Sequence, residues 1–115
     1  MKKMLFFVNP AAGKEEMRYQ LMDVIDFFTA SGYDVLCHPT QKPLDIPEFL
    51  RERGQEFDMV VTCGGDGTLN ETVSGLMALE HRPTLGYIPA GTVNDFATSL
   101  HIPKTIKEAA RNIVE

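Results

Sequence analysis

The apolar and polar positions of this chain alternate between short unbroken blocks and longer periodic ones. Residues 4–8, Met-Leu-Phe-Phe-Val, form a continuous apolar run that Asn9-Pro10 ends. A run this short, bounded by turn residues, predicts a buried strand. Over residues 14–30 the period changes: Met17, Leu21, Val24, Ile25 and Phe28 recur at helical spacing, and Gly32 closes the helix. Residues 33–38 read as a second strand. A shorter helix over 43–53 turns Ile46, Phe49 and Leu50 inward and ends at Gly54, with Leu44 read as core beside them rather than as a lipid groove. Residues 58–62 make a third strand, and a helix from about 69 to 79 follows, with Leu69, Val73, Leu76 and Met77 as its stripe. Pro83 breaks the chain, 84–88 is a fourth strand, and 89–95 is a polar loop containing glycine. A last helix begins near Thr105, where Thr105 and Glu108 fit a capping box.

Strands alternating with helices imply a parallel sheet covered on both faces, hence an α/β fold of three αβα layers with a mostly parallel sheet. In such sheets ligands bind beyond the carboxyl ends of the strands. The polar loops at Asn9, Thr40, Gly64 and Gly91 all follow strands, so they gather on one edge.

The loop that carries most chemistry is Gly64-Gly65-Asp66-Gly67-Thr68-Leu69-Asn70-Glu71. Glycine lets backbone N–H groups approach a ligand closely, and a helix N-terminus offers unpaired N–H groups with partial positive charge. Strand, glycine turn and helix start together describe a phosphate cradle. It is not a dinucleotide fingerprint, because Asn70 stands where the third glycine belongs. Nor is it a P-loop, since Gly13-Lys14 lacks both the upstream glycine and the following Ser or Thr. The plain structural alternative is a tight turn with Thr68 and Glu71 as a capping box, but that needs only one glycine. Asn9-Pro10-Ala11-Ala12-Gly13 and Thr40 are ordinary turns when taken alone, and gain weight from the shared edge. The segment Gly91-Thr92-Val93-Asn94-Asp95-Phe96-Ala97 is polar enough at that edge to read as functional.

Bulk properties narrow the field. A chain of 115 residues is one domain by size. A net charge of −5 argues against nucleic-acid binding and against a polybasic membrane patch. Cys37 and Cys63 sit in strand-like runs and read as two buried reduced thiols. His38, His81 and His101 are scattered, near no cysteine or carboxylate at ligand spacing, so no zinc site is expected. The apolar start is too short for a signal peptide, and no run reaches the roughly 18 residues of a membrane span. A cytoplasmic location is therefore expected.

The three loops together match a family. The run from Gly64 to Glu71, with Val73, resembles the nucleotide-binding signature of the diacylglycerol kinase catalytic domain. Asn9-Pro10-x-x-Gly13 and Gly91-Thr92-x-Asn94-Asp95-Phe96-Ala97 look like that family's first and third signatures. The resemblance spans essentially the whole chain. Gly-Gly-Asp-Gly alone is shared with NAD kinases and phosphofructokinases, whereas the segment from Gly91 to Ala97 separates the lipid kinases from both.

The resemblance implies the N-terminal ATP-binding domain of a bacterial lipid kinase that phosphorylates a lipid hydroxyl, with diacylglycerol the default acceptor. Thr40, Gly64, Gly65, Asp66, Gly67, Thr68, Leu69, Asn70 and Thr92 match the family's ATP-contacting positions, and Asn9 borders the nucleotide. Glu71, Asn94 and Asp95 complete the implied cofactor-binding set. Asp66 is the candidate catalytic residue, acting through magnesium, ordered water or the acceptor hydroxyl. Ala12 stands where relatives often carry Ser, and Thr98 where many carry Arg, which puts one hydroxyl and one phosphate-directed charge in doubt. The family adds a second, mostly β domain with the magnesium site and a catalytic glutamate, which these 115 residues do not include. The lipid, met at the inner membrane face, is expected to be engaged through that domain, and a homodimer through the uncovered edge stays open. Two other readings are a kinase for NAD or another soluble acceptor, and a nucleotide-binding module that is inactive by itself.

Overall fold

The computed structural model describes residues 2–9, 14–89, 110–111 and 113–114, with side chains omitted for 14–19 and 89. Strand β1 covers Lys2–Val8, α1 Lys14–Ala30, β2 Tyr33–Pro39, α2 Asp45–Arg53, β3 Met59–Gly64, α3 Asp66–Met77 and β4 Thr84–Pro89. A single 3-10 turn, Gly54–Glu56, joins α2 to β3. The four strands form one sheet in the order β2-β1-β3-β4, and every pairing is parallel.

The unbroken apolar run in β1 follows from its place inside the sheet, since strands covered on both faces lose the alternating pattern. Met4, Phe6 and Val8 point to one face, where they meet Val24 and Phe28 of α1, Val61, Cys63, Ile88 and Ala110. Leu5 and Phe7 point to the other, against Ile46 and Leu50 of α2, Phe57, Val60, and Leu76 of α3 with Leu79 beyond it. Helix α1 and the helical residues around Ala110 thus cover one face, and α2 and α3 cover the other, giving the three layers expected. Edge-to-face rings lock both sides: Phe6 with Phe28 at 5.7 Å and Phe7 with Phe49 at 5.6 Å.

Several details depart from the sequence expectations. Helix α3 starts at Asp66, three residues before Leu69, because Gly65 adopts an extended conformation and its carbonyl accepts the first helical bond from Leu69 N. Thr68 and Glu71 therefore form no capping box, since Thr68 already lies inside the first turn. Met77 is 60% exposed, and the buried stripe runs instead through Thr68, Leu69, Thr72, Gly75 and Leu76. Thr72 turns inward because its hydroxyl meets that of Thr62 at 2.7 Å and donates to the Thr68 carbonyl at 2.9 Å. Helix α2 starts at Asp45 rather than Pro43, since Leu44 takes a left-handed conformation with φ 66°, and Leu44 is exposed, not core. Cys37 is only half-buried, since β2 is the outermost strand among those described, while Cys63 is buried; the two form no disulfide. The spacing of His38 hid a carboxylate partner, Asp45, seven residues on. The side chain of Met17 and the capping pair Thr105 and Glu108 lie outside the described residues.

Helices α2 and α3 approach closely because Gly75 has no side chain. A Cβ there would lie 2.8 Å from Leu50 Cδ1 and 3.1 Å from the Cα of Pro47. The Leu50 methyl can move aside, but the Pro47 backbone cannot without shifting α2. Gly75→Val should therefore destabilise by about 1–3 kcal/mol, the usual cost of overpacking. Urea unfolding measures this, and an unchanged midpoint would show that the helices separate freely.

Candidate functional site at the strand ends

The chain turns back on opposite faces after the two central strands. From β1 it enters α1, which packs on one face, and from β3 it enters α3, which packs on the other. This split at adjacent parallel strands opens a crevice beyond their carboxyl ends, the general ligand position in sheets of this kind. Asn9 lies on one side of it and Gly65 on the other. The sheet ladder sets their places: Asn9 N donates to the Cys63 carbonyl at 3.1 Å, and Thr40 N donates to the Val8 carbonyl at 2.8 Å.

Three side chains, those of Thr68, Asn9 and Tyr87, converge on Gly64 where β3 becomes α3. Thr68 folds back over Gly64, so closely that a Cβ on Gly64 would lie 2.8 Å from Thr68 Oγ1 and 2.9 Å from its Cβ. Asn9 Nδ2 donates to Thr68 Oγ1 at 3.3 Å, and Tyr87 Oη donates to the Gly64 carbonyl at 2.9 Å. Burial, then the nearby charge of Asp66, then Cys63, push the Tyr87 hydroxyl up to about 12, so it stays protonated and donates. Burial likewise pushes the Cys63 thiol up to about 12, which rules it out as a nucleophile near neutral pH.

Gly65 and Gly67 differ from Gly64. Neither has a positive φ, and no described atom lies within 4 Å of a Cβ built on either. No contact in the described fold demands glycine at these positions; at 67, inside α3, glycine costs about 0.5–1 kcal/mol relative to alanine, while at 65 it is an acceptable N-cap. The open space stands over the first turn of α3, whose N-terminal N–H groups receive no side-chain cap from the described residues. Backbone donors, partial positive charge and room for a ligand thus coincide. Asp66 and Asn70 are exposed on this turn, and Asp66 at the first helical position is itself favourable to the helix dipole.

The structure sorts the expected residues into groups. Asn9, Gly64, Gly65, Asp66, Gly67 and Thr68 come together, and Thr40 reaches the same edge one strand further out. Leu69 turns inward to pack on Tyr87. Glu71 is half-buried and accepts a hydrogen bond from Leu44 N at 3.1 Å. Thr92, Asn94 and Asp95 lie outside the described residues. No three His, Cys, Asp or Glu side chains among the described residues group as a metal site.

Sequence reasoning missed the supports of the Thr40 loop. Asp45 Oδ2 accepts from His38 Nε2 at 3.0 Å and from Gln41 N at 2.8 Å. Burial pushes the Asp45 carboxyl up, but the Gln41 N–H and the His38 ring outweigh it and hold it below its ordinary range. An acidic residue in the first turn of α2 was the available signal. Tyr87 gave none, since its partner Gly64 lies 23 residues away.

The fold and its glycine-rich turn define an α/β domain with a strand-to-helix junction at the carboxyl ends of the sheet. The diacylglycerol kinase catalytic domain family matches residues 3–115, and the chain belongs to that family. It is 41% identical to a diacylglycerol kinase of Bacillus subtilis, over 99% of this chain and 38% of that protein. A diacylglycerol kinase of Staphylococcus aureus is 40% identical, over 99% of this chain and 36% of its own length. A crystal structure of a diacylglycerol kinase from Bacillus anthracis superposes with a TM-score of 0.88 at 37% identity, covering 98% of this chain and 39% of that one. The chain thus spans about two-fifths of the length of these relatives. No helix among the described residues is long and apolar enough to cross a membrane.

Removing the Tyr87 hydroxyl leaves the Gly64 carbonyl without that donor, and Tyr87→Phe should cost about 1 kcal/mol. The sign of its pH dependence follows from the raised folded-state value. The Tyr87 contribution is fully present below the ordinary value of 10.0 and is lost as pH rises toward about 12. The difference in unfolding free energy between wild type and Tyr87→Phe should therefore shrink across that interval. A constant difference in alkaline urea titrations would show that the hydroxyl is not held as described.

Proposed function

We propose that this chain is the ATP-binding part of a lipid kinase that transfers the γ-phosphate of ATP to a lipid hydroxyl, with diacylglycerol as acceptor. The observation that carries this reading is the pair Gly65 and Gly67: two glycines that the described fold does not need, standing open over an uncapped helix start at the crevice between β1 and β3. The names of the relatives supply the acceptor.

Phosphoryl transfer asks a protein mainly for positioning and charge neutralisation. The N–H groups of Gly65, Gly67 and Thr68 hold phosphate oxygens in this proposal, and the positive end of α3 offsets part of their charge. Asn9 and Thr40 border the nucleotide from the neighbouring strands. Thr92, Asn94 and Asp95 join them on the basis of the sequence signature alone. Magnesium commonly binds through one or two carboxylates together with phosphate oxygens and water, so Asp66 suffices as this chain's contribution. When bound, the ion shields the charge of the phosphates. Asp66 cannot attract a phosphate by itself, and it acts toward the ion, a water or the acceptor hydroxyl. The remaining length typical of the relatives supplies the lipid-facing surface and the principal base, so these 115 residues bind nucleotide without turning it over.

Two measurements test this. Gly65→Ala and Gly67→Ala should each weaken ATP binding about tenfold or more, about 1.4 kcal/mol, by placing a methyl group where a phosphate sits. Folding stability should stay the same or rise for Gly67→Ala, inside α3, and fall by no more than about 1 kcal/mol for Gly65→Ala, since alanine caps a helix less well than glycine. Unchanged ATP affinity in calorimetry would remove the cradle. Separately, the full-length protein should convert diacylglycerol to phosphatidate with labelled ATP, and phosphorylation of NAD instead would overturn the lipid acceptor.

A further inference from the structure

Leu44 is the one non-glycine residue with a positive φ among those described. Its side chain is 66% exposed, so apolar burial does not hold it there. Its backbone is held instead. The N–H of Leu44 donates to Glu71 Oε1 at 3.1 Å, and its carbonyl accepts from Glu48 N at 3.3 Å. On the other side of the loop, the Asp45 carboxylate gathers Gln41 N and His38. An ionised carboxylate only accepts, so the His38 ring donates through Nε2 in either of its charge states. The segment from Thr40 to Leu44 is therefore gripped from both ends, and one grip comes from α3.

That grip joins two walls of the crevice. Glu71 lies on the helix whose first turn carries Gly65 and Gly67, and Leu44 lies four residues after Thr40. We propose that Glu71 is a positioning residue: its carboxylate ties the loop after β2 to α3 and so sets the spacing between Thr40 and the glycine turn. This rests on the nucleotide-binding reading of the same edge. It also alters the role of Glu71 within the glycine-rich signature. A carboxylate engaged by the backbone N–H of Leu44 serves there as a hydrogen-bond acceptor. What the site needs from it is an oxygen at that place.

An amide oxygen can fill the same place, which separates positioning from charge. In the full chain, Glu71→Ala should speed hydrogen exchange of the Leu44 amide about tenfold. It should also raise the ATP dissociation constant roughly threefold to tenfold, as a loosened wall must be reordered on binding. Glu71→Gln should restore both. Unchanged Leu44 exchange in Glu71→Ala would overturn the proposal. So would Glu71→Gln binding ATP as poorly as Glu71→Ala while its Leu44 exchange is normal, because that pattern makes the charge itself a ligand. A wild type that binds no ATP would defeat the kinase reading, and the clamp would then fall with its stated purpose even if exchange followed the expected pattern.

Discussion

Thr68 lies folded over Gly64 at the point where the third strand becomes the third helix, and the rest of the site depends on that contact. No other residue fits at 64, because a Cβ would collide with the threonine on three atoms. With Thr68 seated there, Asn9 reaches its hydroxyl from β1, Tyr87 reaches the Gly64 carbonyl from β4, and Thr72 reaches the Thr68 carbonyl from the next turn. Three strands and one helix are thereby fixed around a single residue pair. The polar groups are buried, and buried polar groups leave little freedom because each lost partner exposes an unsatisfied atom. No buried side-chain nitrogen or oxygen among the described residues lacks a partner.

A rigid junction matters because of what stands next to it. Gly64 is glycine for the protein's own packing, whereas Gly65 and Gly67 face open space. The same three-glycine run thus divides into one position explained by packing and two that the described residues leave open. The topology adds the location. Chain reversal on opposite faces after β1 and β3 places the crevice between their carboxyl ends, beside the start of α3. The Thr40 loop forms a further wall, held through a left-handed Leu44. Such a conformation costs on the order of 1–3 kcal/mol and persists only where its surroundings over-determine it. Two carboxylates, Asp45 and Glu71, provide those surroundings.

Much of the fold was legible in residue order. The apolar block at 4–8, the helical spacing of Val24 and Phe28, and Gly32 with φ 101° as the helix stop all appear where the pattern placed them. These are local signals, each readable within one turn or one strand. The errors cluster where a distant residue decided the outcome. Met77 read as core by spacing, yet the face of α3 was set by Thr72 meeting Thr62 on another element. Leu44 read as core by composition, yet Glu71 pinned its backbone in a conformation that turns its side chain outward. The glycine run read as a loop by propensity, yet Thr68 closing on Gly64 let the helix begin at Asp66.

For the site the division is similar. Residue order alone determined that polar loops follow each strand and that a glycine-rich turn precedes a helix, because strand and helix periods are local properties of the chain. It could also mark the family, since the signatures are contiguous. The division of labour inside the signature was decided only by the tertiary structure. Gly64 and Leu69 serve packing, Glu71 accepts from a neighbouring loop, and Gly65 with Gly67 meet no described atom. A motif lists neighbours along the backbone, but what each side chain touches depends on elements brought together from elsewhere. Here those elements are β1, β4 and the start of α2, which contribute Asn9, Tyr87 and Leu44 from 27 to 59 residues away along the chain, or 23 for the tyrosine.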